Sequence, residues 1–266
     1  MVVLMRFDIL TLFPEMFTGV FDATIIGRAR EMGHVEIVLH NIRDYAPGKH
    51  HVTDDTPYGG GGGMVMKPEP IFNAVEAILG LEIPGDGYQP LVQQGYPPII
   101  LLTPQGRLLK QTVARELMAH ERMLLLCGRY EGVDERVRQY LATDELSVGD
   151  YVLSGGEIAT MVLVDVLTRL IPGVLGDPAA TANDSHSAGL LEYPHYTRPA
   201  DYRGHAIPDI LLSGHHAKLQ AWRRQQALAR TLARRPDLLA EAKLSEADRK
   251  YLAGLSLNAS EDEVNP

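Results

Sequence analysis

The chain contains a single cysteine, Cys127, which excludes an intrachain disulfide and a multi-cysteine zinc site. Its setting, Met-Leu-Leu-Leu-Cys, reads as a buried strand position, where cysteine behaves as a small hydrophobe. No apolar run approaches the roughly 20 residues that a membrane helix needs. The N-terminus lacks a charged segment followed by a long apolar run and a small-residue cleavage site, and Met5 offers an alternative start. A cytoplasmic protein without membrane attachment is expected. There are no internal repeats, and the histidines show no metal-ligand spacing. A basic excess is missing too: Lys plus Arg number 25 against 34 Asp plus Glu, a net charge of −9. That balance is unusual for a nucleic-acid binder.

The distribution differs from the sum. Between Leu190 and Pro236, eight basic residues oppose three acidic ones, leaving +5 locally. A polyanion responds to the potential of the face it docks on, not to the whole-chain charge.

The first two-thirds alternates strand and helix signals, predicting an α/β domain with a mainly parallel sheet over residues 1–170. Phe7–Phe13, Val35–Ile42, Ile99–Thr103 and Met123–Cys127 read as strands; Pro68–Gly80 and Ile158–Leu170 read as helices. Gly176–Gly189 holds proline, glycine, serine, alanine and asparagine with almost no bulky apolar residue, which predicts a flexible linker over residues 171–190. Residues 191–252 read as a small, basic, all-helical domain, and residues 253–266 as a disordered acidic tail.

Glycine-rich turns flank the strand signals. Tyr58-Gly-Gly-Gly-Gly-Gly-Met64 invites a phosphate-loop reading, but the Walker pattern fails because Lys67 lies between Met66 and Pro68. The dinucleotide pattern G-x-G-x-x-G fails as well. Further turns are Leu102-Thr-Pro-Gln-Gly106, Gly128-Arg-Tyr-Glu-Gly132 and Ser147-Val-Gly-Asp-Tyr-Val-Leu-Ser-Gly-Gly-Glu157. Each alone is compatible with a structural turn. Several in one domain point to a cofactor pocket, since ligands of open α/β sheets bind at the carboxyl ends of the strands.

Together with Tyr193-Pro-His-Tyr-Thr-Arg-Pro199, Arg6-Phe-Asp-Ile-Leu-Thr-Leu-Phe-Pro-Glu-Met-Phe17 and Leu211-Leu-Ser-Gly-His-His216, these motifs resemble the bacterial tRNA (guanine-N1)-methyltransferases of the SPOUT class. The match runs in order from about Arg6 to Leu239. The resemblance implies a deep trefoil knot in the N-terminal domain, an exception to the rule against threaded chains. It also implies that the knot loops bind S-adenosylmethionine in a bent form. Carried over by position, the cofactor contacts are Leu102, Thr103, Pro104, Gln105, Gly128, Tyr130, Glu131, Val148, Gly149, Tyr151, Leu153, Gly155 and Gly156. A homodimer with its active site between subunits is implied as well. Mg²⁺ is associated with the family's activity, although no protein site for it can be read here.

The implied reaction places a methyl group on N1 of the guanine 3′ of the anticodon, position 37. Neutral guanine N1 carries a proton, so a base must remove it while a cation or donor steadies charge growing on O6. By the resemblance, Asp184 in Asn183-Asp184-Ser185-His186 is the general base and Arg169 the catalytic arginine. From the residues alone, an aspartate in such a linker is ordinarily solvated, and an arginine near a helix end offsets the helix dipole. His186 stands where phenylalanine is expected in many members and is itself a minor candidate for the base.

For the RNA, Ser213 is a predicted N-cap of a helix running to about Arg235. Arg223, Arg230 and Arg234 share one stripe of it; Trp222, Ala229 and Leu232 share another, read as core. The first stripe could track phosphates or simply be solvated. Arg198 and Arg203 join it as candidate RNA contacts, with Tyr196 nearby. Three rival readings stand beside the methyltransferase: a nucleotide phosphotransferase, a non-catalytic RNA-binding module, and a SPOUT methyltransferase acting on another base or a ribose.

Overall fold

The structure, a computed structural model, describes residues 4–176, 184–187 and 189–262, with only the backbone described from 256 to 262. Much of the predicted linker, residues 177–183 and 188, lies outside the described residues, as do residues 1–3 and the last four of the predicted tail. The chain divides into two compact units, Met1–Pro178 and Ala179–Pro266.

In the first unit, β1 (Met5–Thr11), α1 (Thr24–Glu31) and β2 (Val35–Asn41) are followed by a short antiparallel pair, β3 (Asp54–Asp55) and β4 (Val65–Met66). Next come α2 (Pro68–Leu79), α3 (Gln89–Val92), β5 (Ile99–Leu108), α4 (Gln111–Leu117), β6 (Arg122–Cys127), α5 (Glu135–Tyr140), β7 (Asp144–Ser147) and α6 (Gly156–Leu170). The five long strands form one sheet in the order β2-β1-β6-β5-β7, with every pairing parallel.

The central strands are buried on both faces, which is why they read as apolar runs and not as alternating patterns. One face packs Phe7, Ile9 and Leu125 against Ile26 of α1, Leu117 of α4 and Leu163 of α6. The other packs Leu10, Leu124 and Leu126 against Ile71 and Val75 of α2 and Val137 of α5. Cys127 lies fully inside the first cluster with its Sγ 3.1 Å from Thr160 Oγ1, and burial pushes its thiol pKa up. It is a packing residue.

Two boundaries differ from expectation. β5 continues to Leu108 because the chain leaves the ladder after Leu102 and rejoins it at Arg107, both opposite Leu146 of β7. α6 begins two residues before Ile158, since Gly156 and Glu157 form its first turn.

The second unit contains a two-residue hairpin, β8 (Asp201–Tyr202) with β9 (His205–Ala206), then α7 (His216–Arg234) and α8 (Glu246–Asp262). It is therefore helical but not all-helical. Arg203 and Gly204 both have positive φ (56° and 83°), the requirement of a tight hairpin turn. Ser213 is not the N-cap of α7: His215 is, and the Ser213 Oγ accepts from His215 N at 3.3 Å while donating to Ile210 O. The buried positions of α7 are Ala227, Leu228 and Thr231, displaced from the expected Trp222, Ala229 and Leu232. Ala227 and Leu228 pack with Leu190 and with Leu239, Leu244, Tyr251 and Leu252.

α8 starts from a reciprocal cap: Ser245 N donates to Asp248 Oδ2 (2.8 Å) and Asp248 N to Ser245 Oγ (3.2 Å). Arg224 of α7 reaches the same carboxylate at 2.9 Å, and with the Ser245 amide it holds the Asp248 pKa down at about 2. The helix runs on to Asp262, past the expected boundary at Leu252, with no proline in the segment to stop it.

Asp8 of β1 is the most constrained acid of the first unit. It is fully buried and accepts from Arg6 Nη2 (2.9 Å), Arg122 Nε (2.8 Å) and His40 Nε2 (2.9 Å). Burial alone would raise its pKa, but these three donors outweigh it and hold the carboxyl well below the usual range. Because the folded-state pKa is depressed, the stabilisation is complete above the unfolded value of about 3.9 and is lost as pH falls below it. Asp8→Asn should lower the unfolding free energy by about 3 kcal/mol at pH 7. In urea denaturation the mutant should also lose part of the wild-type decline in stability below pH 4.

Candidate active site

Since the sheet is wholly parallel, the carboxyl ends of β5, β6 and β7 share one edge, and the segments leaving them meet there. Thr103–Gly106, the excursion within β5, packs against β7 so closely that a Cβ on Gly106 would fall 2.4 Å from Leu146 N and from Glu145 C. The segment after β6 bonds to the start of α6: Gly156 N donates to Gly128 O (2.9 Å), and Arg129 bridges Gly155. A Cβ on Gly156 would lie 2.8 Å from Cys127 Cα. Both glycines are therefore required by close backbone approach.

The three segments enclose a cavity of about 260 Å³. Leu102, Thr103, Pro104 and Gln105 line it from β5, and Gly128, Tyr130 and Glu131 from beyond β6. Val148, Gly149, Tyr151, Leu153, Gly155 and Gly156 complete it from beyond β7. All the residues carried over as cofactor contacts are thus brought together in one place. Tyr130 holds a φ of +61°, uncommon for a non-glycine residue, and Tyr151 Oη donates to Val148 O at 3.1 Å.

Several lining or supporting residues were not singled out from the sequence. Arg129 Nε lies 2.9 Å from Glu157 Oε2, off the line of a good hydrogen bond, and Nη1 donates to Ser154 O at 3.2 Å. The guanidinium also covers the Phe13 ring at 4.6 Å. Glu157 is fully buried, and its other oxygen accepts from Thr11 Oγ1 at 2.8 Å. This pair joins the end of β1, the segment after β6 and the first turn of α6 directly behind the cavity. An acid immediately after Gly155-Gly156 at a helix start was the available signal. Arg138, paired with Glu135 and Glu145, stands on the lining as well.

The five-glycine run is tied to the same region. Met66 N donates to Gly132 O (2.9 Å), Asp134 N to Met66 O (2.9 Å) and Glu131 N to Met64 O (3.0 Å). The Glu131 carboxylate folds over Gly63, where a Cβ would fall 2.4 Å from Oε1. The run is thus anchored beside the cavity at its Met64 end, while Tyr58 at its other end is fully exposed.

The catalytic candidates belong to different units. Arg169 is half-buried in the last turn of α6; Asp184, also half-buried, opens a turn in which its carbonyl accepts from Ser187 N at 3.0 Å. His186 is exposed with a φ of +70°. Among the RNA candidates, Arg198, Arg203 and Arg234 are exposed, Arg203 over the Tyr202 ring. Arg223 and Arg230 are half-buried: Arg223 covers Tyr193, and Arg230 Nη1 donates to Glu192 O at 3.2 Å. The expected arginine stripe is therefore split between solvent and the segment that precedes the hairpin. Among the described residues, no group of three or more His, Cys, Asp or Glu is placed to hold a metal ion, and no helix is long and apolar enough to cross a membrane.

Residues 5–241 match the family model described as tRNA (Guanine-1)-methyltransferase TrmD. The chain is 54% identical over 248 residues to a tRNA (guanine-N(1)-)-methyltransferase of Dehalococcoides mccartyi, covering 93% of this chain and 96% of that protein. It is 54% identical over 257 residues to the like-named protein of Moorella thermoacetica (97% and 99% covered) and 52% identical over 258 residues to that of Geotalea uraniireducens (97% and 100%).

Glu157→Gln should leave Arg129 without its buried counter-charge. The expected result is an unfolding free energy lower by about 3 kcal/mol, measured by chemical denaturation.

Proposed function

Because the chain belongs to the tRNA (guanine-N1)-methyltransferase family, we propose that it methylates N1 of the guanine 3′ of the anticodon, position 37, using S-adenosylmethionine held in the cavity of the first unit. The observation that carries the cofactor assignment is the convergence of three strand-end segments on a single glycine-cradled cavity. The donor set fits such a ligand: Leu102, Val148 and Leu153 offer apolar cover for a purine, and the closely packed backbone offers amides and carbonyls for its edge. The α/β sheet with its parallel order is the architecture of the SPOUT class, and the knot goes with that class.

S-adenosylmethionine supplies an activated methyl group on a sulfonium. The remaining work falls to this chain's residues. The Asp184 carboxylate accepts the N1 proton of guanine, which frees a lone pair in the ring plane. The Arg169 guanidinium donates to O6 and steadies the charge that grows there as the proton leaves. A base carried on the linker acts only once RNA has docked, which couples chemistry to correct binding. Residues 171–190 act as that linker between the cofactor domain, 1–170, and the tRNA-binding domain, 191–252, with Arg198, Arg203, Arg223, Arg230 and Arg234 on the RNA side.

We further propose a homodimer. Ile158 and Val162, one turn apart on α6, are 47% and 42% exposed, and Val152 before them is 84% exposed. An apolar patch next to the cavity is suited to burial against a second copy, which would complete the active site. The protein is proposed to work in the cytoplasm, where its tRNA substrate is found.

Methyl transfer from labelled S-adenosylmethionine should be seen with an unmodified tRNA transcript carrying guanine 3′ of the anticodon and not with its adenine twin. Asp184→Asn should lower kcat by about 10²–10⁴-fold while cofactor binding, followed by calorimetry, persists. Equal incorporation into both transcripts would overturn the site assignment.

A further inference from the structure

The second unit holds a cavity of its own, about 410 Å³, that the methyl-transfer chemistry does not use. Its walls combine Tyr193, His195 and Tyr196 from the extended segment before the hairpin with Leu219, Trp222 and Arg223 from α7. Spacings of three and four residues place the last three on one face of the helix. The extended segment is pinned at its start: Leu191 N donates to Thr231 Oγ1 (2.9 Å), and Arg230 holds the Glu192 carbonyl. His195 Nε2 pairs with Glu192 Oε1 at 2.8 Å, which turns its ring towards Tyr193, the centroids being 4.8 Å apart. On Tyr193 the Arg223 guanidinium adds a third planar group at 4.9 Å. Arg223 Nε is closed off from solvent and has no hydrogen-bond partner among the described residues.

Flat π-faces beside a stacked guanidinium suit recognition of an unpaired nucleobase. Duplex RNA would need only phosphate contacts, and a purely apolar partner segment would make no use of the guanidinium and the polar ring edges that line the cavity. The +5 charge between Leu190 and Pro236 favours a polyanion over an acidic-neutral protein surface. We propose that this pocket receives an unpaired base of the RNA substrate, stacked on the aromatic and guanidinium faces, as a recognition site separate from the target guanine. The inference rests on the reading of the chain as a tRNA-modifying enzyme.

Trp222 is the only tryptophan of the chain, so its emission reports on this pocket alone. The full-length protein is titrated with a single-stranded RNA heptamer and with an abasic ribose-phosphate heptamer, occupancy being followed by anisotropy. Quenching by the heptamer and none by the abasic backbone at equal occupancy is the expected result. Equal quenching by both, or none by either, overturns the proposal. In steady-state assays Tyr196→Ala and Trp222→Ala should each raise the KM for tRNA about tenfold, and Trp222→Phe should restore it to within about twofold. An unchanged KM in Tyr196→Ala, whose side chain is half-exposed and outside the buried core, likewise overturns it. Failure of the wild type to methylate any tRNA would instead sink the functional reading, an outcome distinct from all of these.

Discussion

The site depends on one constraint: three chain segments meet at the carboxyl edge of β5, β6 and β7 with their backbones in direct contact. The parallel register sends all three to the same edge. Contact is then possible only where side chains are missing. At Gly106 and Gly156 an added Cβ would sit 2.4 and 2.8 Å from neighbouring backbone, distances that real Cβ atoms do not tolerate. The enclosing walls of the cavity follow from those two contacts. The Arg129–Glu157 pair then ties the same segments together from behind, with Thr11 fixing the second carboxylate oxygen.

Burial of that pair and of Asp8 shows how a chain with a net charge of −9 uses its acids. Asp8 and Glu157 are both fully buried: Asp8 accepts from Arg6 on its own strand and from Arg122 of β6, and Glu157 accepts from Thr11 while lying 2.9 Å from the Arg129 guanidinium as an ion pair. Removing a partner from either leaves a charge in a medium that solvates it poorly, so these acids are structural clamps. The second unit repeats the device on a smaller scale with Arg224 and Asp248. These buried acids belong to the scaffold, whereas the basic stretch near α7 is the one proposed for the RNA side.

Much of the fold was legible in the sequence because its cues are local. Apolar runs marked the buried strands, and Pro68 and Gly80 bracketed α2. What local cues miss is tertiary. The return of β5 to the ladder at Arg107 is set by β7, forty residues on, and no run of residues encodes it. Ser213 has the right chemistry for a cap, yet it closes the preceding turn, and the helix waits until His216. The hairpin at Arg203-Gly204 was hidden inside a stretch read as helix. For the site, the glycine turns located the cavity's walls, while Arg129 and Glu157 went unassigned because their pairing spans 28 residues. The arginine stripe of α7 was visible by spacing, but which arginines face the 191–195 segment depends on packing that spacing cannot show.

S-adenosylmethionine is the ligand proposed for the glycine-cradled cavity of the first unit. Calorimetric titration of the wild type and Gly106→Val with S-adenosylmethionine, and with ATP as a comparison ligand, tests that assignment most directly. Saturable binding of S-adenosylmethionine alone by the wild type, lost in a still-folded Gly106→Val, is the predicted result; unaltered affinity in the variant, or preference of the wild type for ATP, would contradict it.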